Sequence, residues 1–146
     1  MIEIREISAL ETFKVRHPVL RTGKPVESCR FDGDEFASTK HFGLFENETL
    51  AGVISVFKQK NEAFADENQF QIRGMAVLEH FRKRGFGEQL VIHVEIDVNG
   101  QGGKLIWFNA REVAVKFYAK LGYEISGGAF EIPDVGTHYL MYKILD

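Results

Sequence analysis

The segment Arg82-Lys83-Arg84-Gly85-Phe86-Gly87 divides two runs of different period. Residues 68–78 before it read as an apolar strand. After it, Phe86, Leu90, Val91, Val94 and Val98 recur at helical spacing until Asn99-Gly100. A chain that passes from strand to helix through Gly-x-Gly aims its first helical N–H groups at one spot. Those donors lack intrahelical partners, and the helix macrodipole adds positive potential beside them. A helix start of this kind accepts phosphate, and Gly85 and Gly87 leave room for a diphosphate to reach the backbone. Arg82, Lys83 and Arg84 add three positive charges, which oppose the dipole unless an anion sits there. The alternative is three solvated charges at a helix start.

Around this unit the pattern is α/β. Ile2, Ile4 and Ile7 alternate with polar residues as in a strand. Ser8 and Glu11 fit a capping box for a helix whose inner face would be Leu10, Phe13 and His17, and Pro18 kinks or ends it. Residues 22–40, with Gly23, Pro25 and Gly33, read as an irregular or short-helical connection long enough for a lid or wall. Strands over 41–46 and 49–58 form a hairpin about Asn47-Glu48, followed by a polar loop over 59–67. Residues 105–108 are continuously apolar, as in a strand buried on both faces. Val113, Phe117 and Leu121 mark another helix, ended by Gly122. Short strands over 123–125 and 130–132 flank Gly127-Gly128, and 138–145 closes the sheet. The order is β-α-β-β-β-α-β-α-β-β, an α/β (α+β mixed sheet) architecture in one domain over 1–146, with helices on both faces of a central mixed sheet.

Composition narrows the function classes. A net charge of -3 gives no broad basic surface for nucleic acid. The single Cys29 excludes an internal disulfide and a multi-cysteine metal site, and no metal is expected. No apolar run reaches the length of about 18 residues that a transmembrane helix needs. Residues 1–6 alternate in charge and lack a signal-peptide core. The expectation is a cytoplasmic protein without membrane or nucleic-acid partners.

The element order and these residues resemble the GNAT superfamily of acetyl-CoA-dependent N-acetyltransferases. That family's cofactor signature is Gln or Arg, two residues, Gly, one residue, then Gly or Ala, and Arg82, Gly85 and Gly87 match it. A second signature places an Asn after the next strand and a Phe-Tyr pair late in the following helix, and Asn109 and Phe117-Tyr118 match that one. The clear resemblance covers about 68–124. A dinucleotide fingerprint would need a third Gly where Leu90 stands, and a P-loop would need Gly-Lys-Ser/Thr, which is absent.

The resemblance implies roles for individual residues. Backbone N–H groups of Arg84, Gly85, Phe86, Gly87 and Glu88 would hold the coenzyme A pyrophosphate, with Arg82 and Lys83 reaching phosphates by side chain. The strand edge at Met75, Ala76 and Val77 would pair with the pantetheine arm. A bulge near Gly74 or Met75 would splay this strand from its parallel neighbour. Asn109 would hydrogen-bond the cofactor arm or cap the next helix, and Phe108, Phe117 and Met75 would narrow the pocket toward acetyl. Tyr118 would donate a proton to the departing thiolate, its alternative being a core aromatic beside Phe117 and Tyr123.

Where some members carry a basic Glu, this chain has Gln71, which takes no proton at neutral pH. Amine deprotonation would then run through water and backbone carbonyls, or through His41 or His138. Strand alternation puts Gln71, Arg73 and Met75 on one face. An arginine there needs a partner or a pocket. Arg73 either recognises an acidic group on the acceptor or pairs with Asp32, Asp34 or Glu35. Residues 16–36 would wall the acceptor site. The implied reaction is direct attack of a small-molecule primary amine on acetyl-CoA, with Tyr118 as general acid. A peptide or protein acceptor and a non-catalytic acyl-CoA sensor are the alternatives, and the family resemblance admits a homodimer through the C-terminal strand.

Overall fold

In the computed structural model, which describes residues 1–145, strand β1 (Ile2–Ile7) runs through Ser8 into helix α1 (Ala9–Leu20). The capping box is present: Glu11 N–H donates to the Ser8 hydroxyl at 3.1 Å, and Ser8 N–H to the Glu11 carboxylate at 2.8 Å. This start sets the helix register, so Ala9, Thr12, Phe13, Val15 and Arg16 face inward. Leu10 falls one step round and is 67% exposed, which corrects its expected place on the inner face. Pro18 lies inside the helix, which continues to Leu20.

Residues 22–39 hold only a short 3-10 turn, Val26–Cys29. Strands β2 (Lys40–Glu46) and β3 (Thr49–Lys58) form the expected hairpin. Asn47 and Glu48 both have positive φ, 48° and 73°, as a two-residue hairpin turn matched to strand twist requires. Then come β4 (Gln69–Val77), α2 (Phe86–Gly100), β5 (Leu105–Arg111), α3 (Val115–Lys120), β6 (Glu124–Ile132) and β7 (Gly136–Ile144). Among the described residues seven strands form one sheet in the order β1-β2-β3-β4-β5-β7-β6, with β4 and β5 its one parallel pair. Helix α2 buries Leu90, Val91, Val94 and Val98 against Leu44, Ile54, Val56 and Ile72 on one face. Helix α1 lies over the other face, where Val15 meets Val53 and Ala76.

Several boundaries differ from the sequence reading. Strand β5 continues to Arg111, because Asn109, Ala110 and Arg111 still pair with Leu140, Tyr139 and His138. The two short strands about Gly127-Gly128 are one strand, β6, whose register shifts between Ser126 and Phe130. Val113 lies in a 3-10 turn ahead of α3 and is 90% exposed.

The irregularity that shapes the site is in β4. Val53 pairs with Ala76 and Ser55 with Arg73, so Gly74 and Met75 together oppose Ile54. Gly74 takes φ +65°, and a Cβ there would sit 2.8 Å from Phe31 Cε2, so both conformation and space require glycine. The extra residue reverses the alternation. Met75 packs with the α2-side core, while Arg73 keeps to the α1 side with Ala76. The expected shared face of Gln71, Arg73 and Met75 is therefore corrected: the bulge removes Met75 from it.

Candidate functional site

Parallel pairing of β4 and β5 ends at Gln71 and Trp107. Beyond it β4 stays bonded to β3 and β5 to β7, so the backbone of residues 72–77 has an edge free toward β5. A cavity of about 480 Å³ fills this opening. Its walls include Gln71, Arg73 and Met75 from β4, Asn109 from β5, Tyr118 from α3 and His138 from β7. Arg21 and Phe31, from the segment expected to wall the acceptor site, also line the cavity, as does Arg111, which sequence reasoning did not single out. Arg21 and Phe31 are legible as members of that segment but not as individual residues, because an irregular segment has no period to mark them.

At one end of the opening stands the α2 N-terminus. Gly85 is left-handed with φ +79°, and nothing lies within 4 Å of where its Cβ would be. The first backbone bond of this helix runs from Gln89 N–H to Gly85 C=O at 3.1 Å, so Phe86, Gly87 and Glu88 keep N–H groups without intrahelical acceptors. A Cβ on Gly87 would stand 3.3 Å from Phe117 Cζ and 3.5 Å from Met75 Cε, so helix start, α3 and bulge meet here. Arg82 Nε donates to the Val77 carbonyl at 3.1 Å, holding the loop against the end of β4. Arg84 is engaged with both carboxylate oxygens of Glu46, which leaves Arg82 and Lys83 as the cations of this loop without an acidic partner among the described residues.

The Tyr118 hydroxyl makes no hydrogen bond among the described residues, although the ring is only 8% exposed and packs 4.2 Å from Phe108 and 5.0 Å from Phe117. Burial pushes its phenol up to about 12, so it holds its proton throughout the neutral range. Tyr123 instead donates to Glu95 at 2.8 Å and does not line the cavity. Asn109 caps nothing, since Arg111 and Ala114 occupy the cap positions. His138 is 5% exposed, and its Nδ1–H donates to the Gly136 carbonyl at 2.8 Å. That bond fixes the tautomer and leaves Nε2 as an acceptor.

His41 lies elsewhere. Its Nε2–H donates to the Asp34 carbonyl at 2.9 Å, and its Nδ1 accepts from the Ser55 hydroxyl at 2.6 Å. Ser55 in turn accepts from Arg16 at 2.9 Å, and Arg16 forms a bidentate pair with Asp34 at 2.7 and 3.1 Å. Asp34 is thus the partner of Arg16, and Arg73 makes no ion pair among the described residues. Arg73 lies over the rings of Phe31 and Phe57, at 4.8 and 5.4 Å from their centroids. Burial pushes its guanidinium below the usual arginine range, against the opposing charge of Asp34.

The model of the acetyltransferase (GNAT) family matches residues 4–123. The chain belongs to the GNAT acetyltransferase family. The uncharacterized N-acetyltransferase YitI of Bacillus subtilis strain 168 is 34% identical over 145 residues, covering 99% of this chain and 97% of that protein. An aminoglycoside 6'-N-acetyltransferase complexed with coenzyme A superposes with a TM-score of 0.78 at 17% identity, over 97% of this chain and 96% of that one. The ribosomal-protein-S18-alanine N-acetyltransferase of Escherichia coli also gives 0.78, at 15% identity, over 99% and 94%. This GNAT chain is therefore an acetyltransferase, of a family whose members use acetyl-CoA and amine acceptors. Among the described residues no helix is long and apolar enough to cross a membrane.

Proposed function

We propose that this enzyme moves an acetyl group from acetyl-CoA to a primary amine of a small molecule inside the β4/β5 opening. The observation that carries this reading is the free β4 edge after Gln71, flanked by the unpaired N–H groups of the α2 start. Phe86, Gly87 and Glu88 N–H, with Lys83 and Arg82, receive the pyrophosphate. The edge of Met75, Ala76 and Val77 offers backbone groups to the pantetheine amides, as an added strand would find them. Asn109 faces the same slot. Acetyl-CoA supplies a thioester activated toward amines. Tyr118 Oη holds the proton that the departing sulfur takes. Gln71 accepts no proton, so His138 Nε2, directly or through water, removes the proton from the acceptor ammonium.

Gly87→Glu tests the cofactor seat. Glutamate is a better helix former than glycine and suits a first helical turn, which offsets the close approach of its Cβ to Phe117. Its carboxylate repels phosphate, and its Cβ presses on Phe117 at 3.3 Å. Thermal stabilisation by acetyl-CoA should be abolished in this variant, and an undiminished shift would refute the seat.

His138→Gln tests the base. Turnover should fall about 100-fold at pH 7. The deficit should shrink toward pH 10, where amines lose their protons unaided. A deficit that does not vary with pH would remove His138 from the proton path. Thiol release from acetyl-CoA over a panel of amines tests the reaction itself. Release no faster than hydrolysis with every amine would leave an acyl-CoA sensor instead.

A further inference from the structure

We propose that the acceptor carries a carboxylate beside its amine and that Arg73, with Arg21, binds it; this rests on the transferase reading of the cavity. Among the described residues three arginines line the cavity (Arg21, Arg73 and Arg111) and no aspartate or glutamate does. This is notable in a chain with more acidic than basic residues, 21 against 18. Asp34 is already committed: it accepts from Arg16 at 2.7 and 3.1 Å and from Phe31 N–H at 2.9 Å. The Phe31 ring carries Arg16 at 3.8 Å, Arg73 at 4.8 Å and Arg21 at 5.3 Å, so three guanidiniums meet around one side chain, and the buried carboxylate beside them is paired with Arg16. The ring faces offset part of that repulsion. A half-buried cation without a direct ion-pair partner remains costly, and an incoming anion relieves it.

Arg21 is fixed at the cavity wall. Its Nε donates to the Ser28 carbonyl at 3.2 Å and its Nη1 to the Leu20 carbonyl at 3.0 Å, which leaves Nη2 for a ligand. The planar fork of Arg73 matches a carboxylate in bidentate fashion. The cofactor's phosphates do not answer this need. Arg73 precedes Val77 by four residues, at most about 13 Å of strand, and the loop that receives them lies beyond Val77. Arg73 also lies on the α1 side of the sheet, whereas the Gly74 bulge turns Met75 to the α2 side, where Gly87 packs against it. Tyr118 and His138 share the cavity with Arg73, so one small molecule spans acid recognition and amine chemistry.

Matched amine pairs test this: β-alanine against ethylamine, and γ-aminobutyrate against propylamine. Each is followed by thiol release from acetyl-CoA and by thermal shift of the protein saturated with coenzyme A, a readout that needs no turnover. The acidic member of each pair should show at least tenfold higher kcat/KM and the larger shift. In Arg73→Gln the ratio of acid to neutral kcat/KM should fall about 10- to 100-fold, the loss expected for a charge-assisted pair. Arg73→Lys should restore part of it. An unchanged shift with acetyl-CoA shows that either variant is folded. Equal or better binding of the neutral amines, or no binding of either member, would overturn the carboxylate site while leaving acetyl-CoA binding intact. Absence of any acetyl-CoA shift in the wild type would instead strike the transferase reading.

Discussion

Tyr118→Phe lowers kcat about 100-fold or more, at nearly unchanged KM for acetyl-CoA, as expected when a general acid is removed. The substitution deletes one hydroxyl, and that hydroxyl has no hydrogen-bond partner among the described residues. The ring contacts with Phe108 and Phe117 persist in the variant, so fold stability is retained at neutral pH. Because burial pushes the phenol up to about 12, Tyr118 remains a donor through the working range. No falling limb in kcat below about pH 10, the ordinary tyrosine value, should belong to it. The sign for stability follows from the same shift. Below about pH 10 both folded and unfolded chains keep the proton, and the group has no effect. As pH rises toward about 12 the unfolded phenol ionises first, so the wild type loses stability in that window and Tyr118→Phe loses less. Steady-state thiol release and alkaline unfolding curves check both parts. A kcat within threefold of wild type would reduce Tyr118 to a core aromatic.

Asp34→Asn destabilises the protein by about 3–5 kcal/mol, the cost of leaving a buried cation unpaired. Arg16 is fully buried, and Asp34 is its one acidic partner among the described residues. The same carboxylate accepts Phe31 N–H, so the segment that walls the cavity loosens with it. At about 2–4 °C per kcal/mol for a chain of this size, the midpoint falls by about 10 °C. The double variant Arg16→Met/Asp34→Leu should recover much of the loss, because apolar side chains of similar volume replace the pair without a stranded charge. Thermal and urea unfolding give both values, and a loss under about 1 kcal/mol would contradict the pairing.

What sequence reveals here depends on how local the cause is. The α2 start, its buried stripe from Phe86 to Val98 and the Asn47-Glu48 turn are set by residues within a few positions, and each is legible. Tyr118, Asn109, His138 and Arg73 fall together because the order of strands fixes where their ends meet. Three features escape such reasoning. The bulge at Gly74 is expected, but its effect on the alternation is not, so Met75 is misplaced on the face of Arg73. The Arg16–Asp34 pair joins a helix to an irregular segment, and no period relates the two. His41 has the residue type of a base, yet both its nitrogens are bonded within that buried network.

Thermal unfolding with and without acetyl-CoA, from micromolar to millimolar, tests the central claim most directly. A ligand that binds only the native state adds about 2.7 kcal/mol at a hundredfold excess over its Kd. The account predicts a concentration-dependent rise of several degrees that Gly87→Glu removes. No shift up to millimolar acetyl-CoA would contradict it, because the opened strands and the bare helix start would then form no working cofactor seat.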